Sequence, residues 1–203
     1  VTFEIQTGEK KPITNCVGID TGINALASLS TGEQIGLELK TLINIVRRRK
    51  KGSKGKTRAI KTLKDYIALN AKRIVMSDIS LIVVERLKGI THGTKLKGRL
   101  SKNMRSVIGS WNVRYWLTRL EMLCEENRVS FRRVWPENTS ITCRQCGYVD
   151  KKNRNGEIFL CQSCGHHDNA DLNASRNILN RFFTGPYGAG YEAGPILSIV
   201  LVV

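Results

Sequence analysis

The apolar positions of the chain fall into short runs with two different periods. Val17-Gly18-Ile19-Asp20 closes an apolar run that opens near Ile13, which predicts a buried strand. Asn24 to Leu29, rich in small apolar residues, predicts a second strand, and Gln34 to Leu39 alternates like a third. The turn signal Ser30-Thr31-Gly32-Glu33 lies between the last two, so the three form an antiparallel meander. Thr41 to Asp78 has helical character, interrupted by the basic stretch Arg47 to Arg58 with its glycines Gly52 and Gly55; this reads as a hairpin between two helices. Ser80 to Glu85 is a continuously apolar strand that ends in a carboxylate, a pattern suited to a central parallel strand. Trp111, Tyr115, Leu117, Leu120 and Leu123 share a helical spacing and predict a helix from about Asn103 to Asn127. Val129 to Trp135 predicts a strand stopped by Pro136. Asp168 to Phe183 predicts a last helix with Leu172, Ile178 and Leu179 on one side. Three strands, helix, strand, helix, strand, helix describes an α/β chain: a mixed five-stranded sheet flanked by helices.

Charge narrows the classes of partner. Lys and Arg total 33 against 17 acidic residues, a formal net charge of +16. Such an excess points to a polyanion, and nucleic acid is the usual one. No acid occurs between Thr41 and Lys64, or between Arg86 and Leu120. Arg47, Arg48, Arg49, Lys50, Lys51, Lys54, Lys56 and Arg58 in the first of these segments, and Lys95, Lys97, Arg99 and Lys102 in the second, are expected to neutralise phosphates without reading sequence. No apolar run approaches the roughly 18 residues that span a bilayer, and no basic amphipathic helix with an aromatic face stands out, so no membrane partner is expected. The N-terminal residues lack a signal-peptide layout. The expected location is a reducing, cytoplasmic one.

Six cysteines fit that compartment. Cys143-x-x-Cys146 and Cys161-x-x-Cys164 are separated by 14 residues, and Gly147 and Gly165 follow the two pairs. Each pair can close a knuckle, and four thiolates suit one tetrahedral zinc ion with no open position, a structural site. His166 and His167 beside Cys164 read as exposed linker residues. Cys16 and Cys124 stand alone among apolar neighbours. Trp111, Trp116 and Trp135 read as core residues.

Three acids stand out by position: Asp20 and Glu85 at the ends of apolar strands, and Asp171 near the start of the last helix. Strand-end acids point into the crevice where α/β sheets place their sites. Carboxylates gathered there repel one another and need a cation; Mg²⁺ or Mn²⁺ suits all-oxygen ligands. Two such ions can activate a water and stabilise the leaving oxygen of a phosphodiester. Taken singly, each acid also reads as a turn or cap residue, and Asp168 is an alternative both as cap and as third ligand.

Four segments together resemble a known family. Gly18-Ile19-Asp20-Thr21-Gly22-Ile23-Asn24, Val84-Glu85-Arg86-Leu87 and Asp171-Leu172-Asn173-Ala174-Ser175-Arg176-Asn177-Ile178-Leu179 resemble the three RuvC motifs of the transposon-encoded TnpB (OrfB) proteins, relatives of the type V CRISPR nucleases. Thr139-Ser140-Ile141-Thr142-Cys143-x-x-Cys146-Gly147 resembles the start of their zinc ribbon. The resemblance implies an RNase H-like (RuvC) fold and DNA cleavage by a two-metal mechanism. In it Asp20 bridges both Mg²⁺ or Mn²⁺ ions, Glu85 and Asp171 each complete one coordination shell, and Asn173 supports the site from behind.

The resemblance also implies a division: 14–140 with 166–183 as nuclease core, 141–165 as zinc ribbon, 184–203 as a tail, and 1–13 as a strand left from an upstream domain. TnpB proteins carry an N-terminal half that grips guide RNA, and only about a dozen residues precede the first strand here. The partners expected are therefore DNA and, conditionally, a guide RNA, with monomer and homodimer both open. Beside an active nuclease stand two other readings: a nucleic-acid-binding module that needs a missing domain or guide RNA to cut, and a stand-alone Holliday-junction resolvase.

Overall fold

The computed structural model describes residues 9–75, 78–87 and 113–185. Five strands form one sheet: β1 (Cys16–Asp20), β2 (Ala27–Leu29), β3 (Gln34–Ile35), β4 (Leu81–Glu85) and β5 (Ser130–Val134), ordered β3-β2-β1-β4-β5. β1, β2 and β3 are antiparallel neighbours, whereas β4 runs parallel to both β1 and β5. Parallel neighbours need crossovers. Helices α1 (Leu39–Arg48) and α2 (Lys54–Val75) lie between β3 and β4 in the chain, and α3 (Val113–Glu126) lies between β4 and β5. The mixed, five-stranded α/β sheet is the one the sequence predicts.

Strand alternation decides what each layer receives. Val17 and Ile19 of β1, with Ile82 and Val84 of β4, point into a core shared with Ile43, Ile67, Ile74, Trp116 and Leu120 of α1, α2 and α3. The intervening residues face the other way. Leu81 and Val83 of β4 and Val134 of β5 pack with Ile178 and Phe182 of α4 (Ala170–Thr184). By the same period of two, Gly18 and Asp20, and Glu85 beyond Val83, belong to the α4 face.

A second, three-stranded antiparallel sheet comprises β6 (Arg154–Asn155), β7 (Ile158–Leu160) and β8 (His167–Asn169). It is held by a small core of Cys143, Phe159, Cys161 and Ala170. The sheet runs on to Asn169, beyond residue 165, and passes directly into α4.

Several boundaries differ from the sequence reading. β3 stops at Ile35 rather than Leu39, because Gly36 has φ +76°, a conformation that ends the strand. Gly55 lies inside α2, so the break between the helices is confined to 49–53. The last helix begins at Ala170, capped by Asn169; Asp168 ends up in β8. Trp116 is fully buried as expected, but Trp135 is 38% exposed, since it lies just past β5, where Pro136 turns the chain away. Residues 9–13 form no strand; Lys11 donates its amide to the Arg128 carbonyl at 2.9 Å. Lys95, Lys97, Arg99, Lys102, Trp111, residues 1–8 and the tail from 186 onward lie outside the described residues.

Candidate metal centre and its zinc ribbon

Asp20 and Glu85 stand one residue beyond Ile19 and Val84, which are paired in the parallel β1–β4 register. Both therefore emerge at the same sheet end and on the α4 face. Asp171 enters from the first turn of α4. Asn169 caps that helix, its side-chain oxygen accepting from the amides of Asp171 (2.9 Å) and Leu172 (3.1 Å). The loop after β1 closes on the same place, since a Cβ on Gly22 would stand 3.9 Å from Asp171 Oδ2.

The electrostatics mark the convergence. Burial, with the charges of Glu85 and Asp171 adding to it, pushes the Asp20 carboxyl up to about 7, against the opposing pull of Arg154 and the Thr21 amide. Burial also raises Glu85, opposed by the Thr139 hydroxyl, which donates to it, and by the charges of Arg181 and Arg154. Arg154 of β6 donates to Asp171 Oδ1 at 2.6 Å, so the ribbon contributes a cation to the acid cluster. Acids whose charges act on one another in a desolvated place favour a bound divalent cation, and an all-carboxylate donor set suits Mg²⁺ or Mn²⁺. Among the described residues, the three acids do not form a set with all ligand atoms within 4.8 Å; Asp171 is engaged by Arg154 instead.

The four cysteines do form such a set. Cys143 and Cys164 sulfurs are 3.7 Å apart, and those of Cys146 and Cys161 are 3.6 Å apart. Zinc–sulfur bonds of about 2.3 Å in a tetrahedron put sulfurs about 3.8 Å apart, so the residues fit one closed zinc site. Gly147 and Gly165, at φ +76° and +73°, turn the backbone after each pair. Asn153, fully buried, locks the two knuckles together. It donates to the Ile141 carbonyl at 2.9 Å and accepts from the Gln162 amide at 2.9 Å.

Asn173 is also fully buried, and its amide group engages the ribbon rather than an acid. It donates to the Thr142 carbonyl at 2.9 Å and accepts from the Arg144 amide at 3.1 Å. Asp168 pairs with Arg176 and His166 instead. His166 is largely buried rather than an exposed linker residue. The basic residues Arg48, Arg49, Lys50, Lys51, Lys54 and Arg58 are exposed around the α1–α2 turn, with Arg47 and Lys56 half-buried among them. The cations that act on the acids come from elsewhere, Arg154 and Arg181. The roles of these two, and of Thr139, Asn153 and Asn177, escape the sequence reading, because no periodicity or metal spacing marks a lone Arg, Thr or Asn.

The chain is similar to known proteins over part of its length. The profile of the family described as Cas12f1-like, TNB domain, matches residues 115–178. A TnpB-like protein of Aquifex aeolicus (strain VF5) is 31% identical over 122 residues, covering 59% of this chain and 39% of that relative. The putative RNA-guided DNA endonuclease InsQ of Escherichia coli (strain K12) is 25% identical over 198 residues, covering 83% of this chain and 49% of that relative. Among solved structures, a Cas12f1–sgRNA–target DNA complex superposes with a TM-score of 0.59 at 24% identity, covering 81% of this chain and 49% of that one. The last likeness establishes the fold. The chain thus spans about two-fifths to one half of these relatives' length. No helix of the described residues is long and apolar enough to cross a membrane.

Proposed function

We propose that this chain, a partial-length relative of the TnpB-type proteins and of the Cas12f1 effectors, is the DNA-cutting domain of a metal-dependent endonuclease, with Asp20, Glu85 and Asp171 as its catalytic carboxylates. The observation that carries the reading is the convergence of three acids from three separate elements, close enough that Glu85 and Asp171 help raise Asp20 to about 7. Mutually repelling carboxylates gathered in a desolvated place mark functional sites more often than structural ones. The relative named as a putative RNA-guided DNA endonuclease supports the same class of activity.

Asp20, Glu85 and Asp171 would hold the divalent ions. Bound there, Mg²⁺ or Mn²⁺ supplies an activated water and charge stabilisation for the leaving oxygen of a phosphodiester. The chain's own part is positional. β1 and β4 fix two carboxylates by register, and the capped first turn of α4 presents the third. Arg154 balances Asp171 until a cation arrives. The exposed basic turn between α1 and α2 suits backbone contacts to DNA, and in a longer protein to a guide RNA. One zinc ion on Cys143, Cys146, Cys161 and Cys164 would hold the ribbon that delivers Arg154.

Purified chain should cleave DNA in Mg²⁺ or Mn²⁺ across a panel of single-strand, duplex and four-way-junction substrates, with and without copurified RNA, and Asp20→Ala should abolish the cleavage. Salt-dependent binding that leaves every substrate intact under all these conditions would favour the second reading, a binding module that cuts only with the remainder of a longer protein. Partial coverage of the relatives is the observation behind that alternative.

A further inference from the structure

The first knuckle of the ribbon is tied to Glu85 through a run of buried polar groups. Asn173 and Asn177 are four residues apart and so share one face of α4. Both are buried. Asn173 holds the backbone on each side of Cys143: the Thr142 carbonyl before it and the Arg144 amide after it. Asn177 donates to the Thr142 carbonyl at 2.7 Å and to the Thr139 carbonyl at 2.9 Å. The Thr142 hydroxyl closes the turn by donating to Asn138 at 2.7 Å, and Asn138 adopts φ +59° to form it. Thr139 itself is buried, and its hydroxyl donates to Glu85 Oε1.

This arrangement costs more than simple loop anchoring requires. Buried amides are unfavourable unless fully bonded, and an apolar residue would pack α4 against the turn as well. What the amides add is a fixed position for the turn 138–142. That turn carries Cys143 at one end and the Glu85 donor at the other. A carboxylate with one oxygen tied to a hydroxyl keeps the other in a defined direction, free for a cation.

We infer that Thr139 is a positioning residue for Glu85, and that Asn173 and Asn177 transmit closure of the four-cysteine knuckle to it, so that zinc in the ribbon tunes divalent-ion binding at the acids. The inference rests on the reading of Asp20, Glu85 and Asp171 as ligands. Outer hydrogen bonds of this kind alter metal affinity by about 10–100-fold.

The test is Mn²⁺ binding to the chain without DNA, followed by electron paramagnetic resonance of free Mn²⁺, with zinc content and melting temperature measured alongside. Thr139→Val should retain one zinc per chain and an unchanged melt, yet bind Mn²⁺ at least about tenfold more weakly. Thr139→Ser should restore binding. Asn177→Ala should weaken Mn²⁺ binding too, and the double variant should be no worse than the weaker single one, since both cut the same path. Stripping zinc should lower Mn²⁺ affinity more in the unmodified chain than in Thr139→Val, because the part carried through Thr139 is already lost there; if stripping unfolds the chain, the Asn177 comparison decides. Equal Mn²⁺ affinity in Thr139→Val, or additive losses in the double variant, overturns the relay. Asp20→Ala is the separate control: if it leaves Mn²⁺ binding intact, the acids are not the site, and the functional reading fails with the relay.

Discussion

Ser175 fills the space that a side chain on Gly18 would need: its carbonyl oxygen lies 2.2 Å from where a Cβ would stand. Gly18 is the middle residue of β1, two before Asp20, and Ser175 is one turn beyond Asp171 in α4. The pair therefore sets how closely the helix bearing one acid approaches the strand bearing another. The neighbours that a Cβ would meet include the α4 backbone, which cannot yield as a flexible side chain would.

Gly18→Ala should accordingly push α4 off the sheet. Overpacking of this kind costs about 1–3 kcal/mol, and each kcal/mol lowers the melting temperature of a chain this size by about 2–4 °C. Cleavage and Mn²⁺ affinity should fall further than stability does, because Asp171 moves with the helix. A calorimetric scan beside a Mn²⁺ titration would check this; an unchanged melt would mean that α4 does not pack as described.

The acid cluster should make stability depend on pH in a particular direction. Asp20 is raised from 3.8 to about 7, chiefly by burial, and Glu85 is raised as well. The folded chain thus holds protons that the unfolded chain has released. Their contribution is complete below about pH 4 and is lost as pH rises toward 7. With zinc retained and other divalent ions omitted, these two groups should make the melting temperature fall over that window. Asp20→Asn should flatten the dependence, because an amide stays neutral throughout. Mn²⁺ binding should strengthen as pH rises to about 7 and release protons below it.

Zinc removal should separate the two sheets. The ribbon has only Cys143, Phe159, Cys161 and Ala170 as its core, too few to fold unaided. Cys161→Ser should lose zinc and expose Phe159, while the five-stranded sheet keeps its own core. Hydrogen exchange resolved by peptide would show rapid exchange within 141–169 and continued protection in β1 and β4. Protection of both in the zinc-free chain would contradict the assignment.

The exposed turn between α1 and α2 should act through charge alone. Replacing Arg48, Arg49 and Lys50 by Gln should weaken binding to all DNA sequences alike and reduce the slope of log affinity against log salt by about 0.7–0.9 for each phosphate that is no longer neutralised. Melting should stay within a degree or two, since these side chains are solvated. Weakening confined to one DNA sequence would show base reading instead.

Much of this protein is legible in one dimension, where chemistry depends on neighbours in the chain. Alternation and apolar runs placed the strands of the main sheet, and the two Cys-x-x-Cys pairs described a closed tetrahedral site before any fold was known. Asp20 and Glu85 were marked by ending buried strands. What the pattern missed lies across sequence separation. A strand boundary shifted where a single residue's conformation ruled, as at Gly36. Trp135, apolar in composition, came to the surface because Pro136 turns the chain at the sheet's end.

The sequence by itself determined the sheet's alternation, the paired-cysteine knuckles and the strand-end acids, because periods and spacings are local properties of the chain. Only the tertiary structure decided that Gly18 admits α4, that Arg154 reaches Asp171 across 17 residues, and that Asn173 and Asn177 meet the turn bearing Thr139. Such pairings come from packing and from the demand that every buried polar group find a partner. That demand is met by whichever group the fold brings near, and no residue carries the identity of its partner in its own letter.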